Sequence, residues 1–180
     1  VDVVCKLRSG QPQTQLLDLC SGSGCIPAAI AMQLPKVSGA AIERESAAFS
    51  YLQKNLQQYA PQIQPVQGDV LDATLPDLYT GYDVITCNPP YLTEVDMQQL
   101  QPEVTFEPET ALYGGADGLD FYRSISANWS IALRKSGWLV YEIGKGQEQD
   151  VAAILRQQGF SQIIQQMDGN GIVRVVAGQK

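Results

Sequence analysis

The stretch QLLDLCSGSG (residues 15–24) joins a short apolar strand, predicted at residues 15–20, to a glycine-containing turn at residues 21–24. A helix is predicted directly after the turn, from about residue 25 to residue 34. In this arrangement, backbone amides and the positive end of the helix face a ligand, and glycines let that ligand approach the main chain. The stretch therefore predicts the first unit of an α/β fold. A tight turn without a ligand is the alternative interpretation.

The alternation of apolar runs and amphipathic stretches continues to the end of the chain. Further strands are predicted at residues 37–43, 63–67, 82–87, 138–143, 161–166 and 171–177, and helices at 47–59, 119–133 and 147–158. Residues 68–81 leave little room for a long helix, and residues 88–118 are predicted to be irregular. This order predicts a mostly parallel seven-stranded sheet with helices on both faces. The short turn at residues 168–171 cannot hold a parallel crossover, so one of the last two strands should run antiparallel.

Composition predicts one globular domain over residues 1–180, since the chain is 44% hydrophobic and 17% charged. Its formal charge of −7, from 12 basic and 19 acidic residues, has the wrong sign for binding phosphates, so direct nucleic-acid binding is not expected. The chain has no histidine, which excludes Ser-His-Asp, Cys-His and His-zinc chemistries. The acidic clusters lack metal-binding spacing, and no metal site is predicted.

The cysteines at positions 5, 20, 25 and 87 form no Cys-x-x-Cys pair, which favours reduced thiols and a cytoplasmic location. No apolar run approaches the length needed to span a bilayer, and no membrane association is expected. The sequence opens at Val1 with helix-like apolar spacing. We therefore expect an upstream segment to be missing.

Two acidic residues follow the second and third predicted strands. Glu43 lies nineteen residues after Gly24, where nucleoside-binding α/β folds place an acid that accepts hydrogen bonds from ribose hydroxyls. Asp69, before Val70, should reach the same crevice and could accept a hydrogen bond from an amine such as that of adenine. The alternatives are a solvated charged turn at Glu43 and an Asx turn at Asp69.

The sharpest motif is Asn88-Pro89-Pro90-Tyr91, directly after the apolar strand at 82–87. Two consecutive prolines remove two N–H donors, which leaves carbonyl oxygens and the Asn88 side-chain oxygen to accept hydrogen bonds. Such acceptors would hold a planar NH2 group, and Tyr91 could stack on that group. The motif predicts methylation of a planar nitrogen, with a rigid strand-ending turn as the alternative.

With these motifs, the chain resembles the HemK-type release factor glutamine methyltransferases, which are Rossmann-like class I enzymes that use S-adenosylmethionine. The resemblance covers essentially all 180 residues and extends beyond the tetrapeptide. The matching segments are Gln101-Pro102-Glu103-Val104, Phe106-Glu107-Pro108, Ala111-Leu112, Gly114-Gly115, Asp117-Gly118-Leu119, Gly137-Trp138 and Glu142-Ile143-Gly144. It implies a catalytic domain without the family's N-terminal helical domain.

The resemblance also implies the roles of the site residues. The cofactor-binding set comprises the loop Asp18, Cys20, Ser21, Gly22, Ser23 and Gly24 together with Glu43, Asp69, Val70 and Asn88. The catalytic set that would hold the substrate glutamine is Asn88, Pro89, Pro90 and Tyr91. Cys20 departs from a frequent glycine, Glu43 from a frequent aspartate, and Val70 from an aromatic residue in some members; we expect these departures to weaken cofactor binding without changing the family.

The implied reaction is transfer of a methyl group from S-adenosylmethionine to the amide nitrogen of the glutamine in the Gly-Gly-Gln motif of peptide chain release factors. S-adenosylhomocysteine would be the other product, and the enzyme is expected to be a monomer. A methyltransferase acting on N6 of adenine or another exocyclic amine of nucleic acid is the main alternative, since a flipped base offers the same NH2 group. A non-catalytic nucleoside-binding module is the third hypothesis.

Overall fold

The computed structural model describes residues 1–100 and 107–180, and its centre is a seven-stranded sheet. The strands are β1 (Thr14–Leu19), β2 (Val37–Glu43), β3 (Ile63–Gln67), β4 (Tyr82–Cys87), β5 (Leu133–Glu142), β6 (Ser161–Met167) and β7 (Val173–Gln179). The helices are α1 (Asp2–Leu7), α2 (Cys25–Gln33), α3 (Ser46–Tyr59), α4 (Glu94–Met97), α5 (Glu109–Leu112), α6 (Asp120–Asn128) and α7 (Glu148–Gln157). Short 3-10 turns cover Leu75–Leu78 and Trp129–Ala132.

The strand order is β3-β2-β1-β4-β5-β7-β6. Strands β1 to β5 pair in parallel, whereas β7 is antiparallel to both β5 and β6. The predicted mostly parallel sheet with an antiparallel C-terminal strand is confirmed. The order reverses between β1 and β4, and open α/β sheets bind ligands at such a switch point, beyond the carboxyl ends of the strands.

Alternating side chains of the central strands build two cores, one on each face of the sheet. Leu16 and Val84 pack with the helices α1, α2 and α3, whereas their neighbours Leu17 and Ile85 pack with α6 and α7. Both faces are covered, which explains why adjacent residues in the middle of β1 (Leu16, Leu17) and of β4 (Val84, Ile85) are all apolar. Helices on both faces, as predicted, hold the sheet and leave its carboxyl edge for loops.

Strands β1 to β4 lie within one residue of their predicted bounds, whereas β7 is displaced by two residues from the predicted 171–177, and two other boundaries are wrong by more. The helix predicted at residues 119–133 ends at Asn128 and gives way to the 3-10 turn. Strand β5 begins at Leu133 instead of Trp138, because its first residues form a register shift between the pairs Tyr82–Leu133 and Val84–Trp138. The motif segments 101–104 and Phe106 lie outside the described residues.

Across residues 1–100 and 107–180, the helices are all too short or too polar to cross a bilayer.

Candidate active site

Four loops converge at the carboxyl ends of β1 to β4 and enclose a cavity of about 430 Å³, here called the first cavity. Its wall includes most of the predicted cofactor-binding residues: Cys20, Ser21, Gly22, Ser23, Glu43, Asp69, Val70 and Asn88. Residues far apart in sequence meet here because parallel strands direct their carboxyl ends to one edge of the sheet.

Glu43 fixes the shape of the glycine loop. Its side chain is 8% exposed, and its two carboxylate oxygens accept hydrogen bonds from the backbone N–H groups of Gly22 (2.8 Å) and Glu45 (2.7 Å). A carboxylate has about four acceptor positions. Glu43 therefore anchors the loop to the start of α3 and keeps acceptor capacity on the cavity wall.

Asp69 and Val70 form another part of the wall. Asp69 Oδ1 accepts from the backbone N–H of Leu71 (2.9 Å), so the Asx turn exists, and Oδ2 lies 3.4 Å from Arg44 Nη1. The main chain of Val70 is held from the core, where Trp129 Nε1 donates to its carbonyl (2.9 Å). The Asx turn occupies one oxygen and Arg44 pairs with the other, so contact of Asp69 with an adenine amine stays a prediction.

Asp18 and Gly24 lie outside the set of described residues that line the first cavity. Asp18 is buried beneath the loop, where Oδ1 accepts from the Thr86 hydroxyl and Oδ2 has no partner in the described part of the chain. Burial raises the pKa of Asp18 to about 6. Gly24 serves as the N-cap of α2. Direct contact of these two residues with a cofactor remains a prediction; their position favours support of the loop.

A second cavity of about 520 Å³ adjoins the first. Pro89 and Tyr91 line the second cavity, Pro90 lines the first, and Asn88 lines both. Glu107 and Ala111 also belong to both walls. The tetrapeptide therefore separates two adjoining cavities, with Asn88 on their shared wall.

The segment after the tetrapeptide closes the second cavity. Thr93 and Asp96 form a reciprocal capping box that starts α4, in which each side chain accepts from the other residue's backbone N–H (3.1 and 3.0 Å). Asp96 also lies on the cavity wall. Burial raises the pKa of Tyr91, so its hydroxyl stays protonated at neutral pH.

The charged and acceptor groups of the first cavity fit a cationic nucleoside such as the S-adenosylmethionine that the sequence resemblance implies. Its wall carries the carboxylates of Glu43, Glu45, Asp69 and Glu107 beside the guanidinium of Arg44. Carboxylates accept hydrogen bonds from ribose hydroxyls and attract a sulfonium, and the loop glycines leave room for the ligand at the main chain.

Several wall residues were not predicted from the sequence as site residues: Cys25, Ile26, Arg44, Glu45, Glu107, Thr110, Ala111 and Phe121. Glu107 and Ala111 fall in segments that match the family pattern, and this match could have identified them as site residues. Arg44 and Glu45 directly follow Glu43 at the end of a strand. The position of Phe121 on α6 gave no signal, because an apolar residue on an amphipathic helix reads as core.

Comparisons with known proteins agree with this geometry. The methyltransferase small domain model matches residues 4–107. The release factor glutamine methyltransferase of Geobacter sulfurreducens is 38% identical over 96% of this chain and 60% of its own length. That of Thermodesulfovibrio yellowstonii is 39% identical over 92% of this chain and 59% of its own length. The chain thus spans about three fifths of the length of these curated relatives, and the resemblance stated from the sequence is confirmed.

Among solved structures, the hMettl16 catalytic domain in complex with the MAT2A 3′UTR hairpin 6 is similar in fold, with a TM-score of 0.74 at 21% identity. That likeness covers 98% of this chain and 67% of the other, and it shows that the fold is the class I methyltransferase fold. The sheet order, the cavity at its switch point and the match over residues 4–107 lead to one conclusion: the chain belongs to the methyltransferase small domain family.

Proposed function

We propose that this chain methylates the side-chain amide nitrogen of the glutamine in the Gly-Gly-Gln motif of peptide chain release factors, with S-adenosylmethionine as the methyl donor. The proposal takes residues 1–180 as one catalytic domain that acts in the cytoplasm as a monomer. The observation that carries it is Asn88 on the shared wall of the two cavities. One cavity suits the donor, and the other suits the acceptor.

The reaction depends on positioning rather than on a base. S-adenosylmethionine, when bound, supplies an electrophilic methyl group and leaves as S-adenosylhomocysteine. An amide nitrogen is a poor nucleophile because its lone pair is delocalised, and orientation can lower the barrier by roughly 7–11 kcal/mol. The Asn88 side-chain oxygen and the Pro89 main-chain carbonyl accept from the two N–H bonds, which stabilises positive charge developing on the nitrogen. The released proton passes to solvent.

The charges of the second cavity favour a protein over a nucleic acid. Among its described wall residues, the charged side chains are Asp96 and Glu107, both acidic. Nucleic-acid binding proceeds by neutralisation of phosphates with basic residues, and the net charge of −7 opposes it. A neutral glutamine on a peptide loop meets no such repulsion. The nucleic-acid alternative is therefore not favoured.

The test is mass spectrometry of a purified release factor after incubation with this protein and methyl-labelled S-adenosylmethionine. We expect one methyl group, localised to the Gly-Gly-Gln glutamine and lost when that glutamine is replaced by alanine. Asn88→Ala should lower the rate at least about 100-fold, as is typical when a preorganised hydrogen-bonding group is removed from an active site. The exposed Asn170→Ala is the matched control and should retain the wild-type rate.

Two results would contradict the proposal. The first is that RNA or DNA becomes methylated while the release factor remains unmethylated. The second is a protein that binds S-adenosylhomocysteine in calorimetry yet transfers no methyl group to the release factor or to a Gly-Gly-Gln peptide. An Asn88→Ala variant with wild-type activity would separately remove Asn88 from the mechanism.

A further inference from the structure

The side chain of Gln147 connects the loop between β5 and α7 to the tetrapeptide. Its Nε2 donates to the backbone carbonyls of Tyr91 (3.1 Å) and Gly118 (3.2 Å). Its Oε1 accepts from the backbone N–H of Gly144 (2.9 Å) and lies 3.4 Å from the Tyr122 hydroxyl. An amide has two donors and an acceptor oxygen, so its hydrogen-bonding groups are all engaged. These partners also fix which end of the amide is nitrogen. The carbonyls of Tyr91 and Gly118 need an N–H donor, and the backbone N–H of Gly144 needs an oxygen acceptor.

The chain around Tyr91 is packed too closely for side chains. A Cβ added to Gly118 would overlap the Tyr91 carbonyl oxygen, and one added to Gly114 would lie 2.7 Å from the Pro90 carbonyl oxygen. Gly114 N–H also donates to the Leu92 carbonyl (2.9 Å). The segment 114–118 therefore closes on the main chain around Tyr91, and the Gln147 side chain joins this segment, the tetrapeptide and the chain at Gly144.

We propose that Gln147 is a positioning residue that orients the Asn88–Tyr91 segment through the Tyr91 carbonyl. It is outside the described set of residues that line either cavity, so it acts through Tyr91 rather than on a substrate. Gln147 occupies the N-cap of α7 but makes no side-chain capping hydrogen bond. Its amide serves the tetrapeptide instead of its own helix. The expected effect of Gln147 on methyl transfer rests on the proposed function. Its effect on the order of the Asn88–Tyr91 segment does not.

The kinetic test compares Gln147→Met, Gln147→Glu and the control Gln149→Met. Methionine keeps the length of the side chain and removes both donors, and Gln149 is an exposed residue of the same helix. We expect Gln147→Met to lower kcat at least about tenfold, with the Kd for S-adenosylhomocysteine within about twofold of wild type. Gln149→Met should match wild type in both. A purely structural role would lower kcat and cofactor affinity together, and that result would overturn the proposal.

Gln147→Glu adds a readout that depends on pH. The ionised carboxylate has no N–H and repels the carbonyls of Tyr91 and Gly118, whereas the protonated form can donate to one of them. Two tyrosines contact Gln147: Tyr122 through its hydroxyl and Tyr91 through its main-chain carbonyl, and the carboxylate of Glu142 lies near both. Burial raises the pKa of both phenols, so both stay neutral between pH 6 and pH 9. We expect the activity of Gln147→Glu relative to Gln147→Met to rise as pH falls from 9 to 6. A ratio that is constant over this interval would contradict the assigned donor role.

Hydrogen exchange tests whether Gln147 holds the main chain at Tyr91, and this measurement requires no methyl transfer. The Leu92 amide, which donates to the Leu112 carbonyl (2.9 Å), should exchange at least about tenfold faster in Gln147→Met. The Gly24 amide in the glycine loop should exchange at the wild-type rate. Unchanged exchange at Leu92, or equal acceleration at both amides, would overturn the proposal. If the wild type fails to methylate a release factor, the proposed function fails while this measurement still tests Gln147.

Discussion

At the scale of single residues, Asp18 is a buried carboxylate beneath the glycine loop of the candidate active site. The side chain is 1% exposed, and burial raises its pKa to about 6, above the ordinary value near 4. The folded state therefore holds this proton more tightly than the unfolded state. Between these two pKa values, the contribution of Asp18 to stability falls as pH rises.

We predict that Asp18→Asn removes this pH dependence. An amide of the same shape cannot ionise, so the stability of the variant minus that of the wild type should increase by up to about 3 kcal/mol between pH 4 and pH 7. Urea unfolding at several pH values measures the difference. The other titrating groups cancel in the subtraction. A difference that is constant with pH would show that Asp18 is not the group responsible.

Site residues were predictable from the sequence where they directly follow a strand. Glu43 and Asn88 could be identified because the end of a parallel strand places a side chain at the edge where ligands bind. Gln147 could not, because its role depends on the Tyr91 carbonyl, 56 positions earlier in the chain. Asp18 was predicted as a cofactor contact from its place in the motif, yet it lies in the core below the loop, since alternate residues of a strand point to opposite faces.

At the scale of elements, the pairing of β1 with β2 depends on a glycine. Gly39 lies opposite Leu16 in the register, and an added Cβ would overlap the Leu16 carbonyl oxygen. We predict that Gly39→Ala lowers the free energy of unfolding by at least about 3 kcal/mol, because β1 and β2 would have to separate or shift. Chemical denaturation monitored by circular dichroism measures the loss.

Gly169→Ala is the matched control for this prediction. Gly169 lies in the turn between β6 and β7, where an added Cβ meets no atom within 4 Å in the described structure. We expect a change within about 0.5 kcal/mol, as is usual for surface substitutions. Equal losses in both variants would show that the close approach at Leu16 is not the cause.

The difference between predictable and unpredictable elements has a physical basis. Strand β4 is buried on both faces, so its sequence is mostly apolar, with Asp83 and Thr86 as its polar residues, and the strand is followed by Asn88 and a proline pair. The first half of β5 contains Arg134, Lys135 and Ser136, all exposed, and its pairing with β4 is interrupted by the register shift. Polar residues in an irregular ladder carry no periodic signal, so only the apolar half of that strand could be predicted.

At the scale of the whole molecule, the sheet separates function from stability. The two cavities lie beyond the carboxyl ends of the strands, whereas a buried ion pair lies at the opposite end. There, Asp83 is 2% exposed, its Oδ2 accepts from the backbone N–H of Gln15 (2.7 Å), and its Oδ1 forms ion pairs with Arg8 Nη2 (2.9 Å) and with Arg134. This cluster attaches the segment after α1 to the amino ends of β1 and β4.

We predict that Asp83→Asn destabilises the protein by about 3 kcal/mol and leaves the Kd for S-adenosylhomocysteine unchanged. Loss of the carboxylate leaves the half-buried charge of Arg8 without its counterion, and breaking such a pair costs more than an intact pair contributes. The control is Asp120→Asn, in which an exposed pair with Arg123 is lost; the expected cost is below about 1 kcal/mol. Urea unfolding and calorimetric titration, both at a temperature where each variant is folded, supply the two quantities. Weaker cofactor binding in Asp83→Asn, but not in Asp120→Asn, would show that the amino end of the sheet is coupled to the first cavity. That result would contradict the claim that this end of the sheet contributes to stability only.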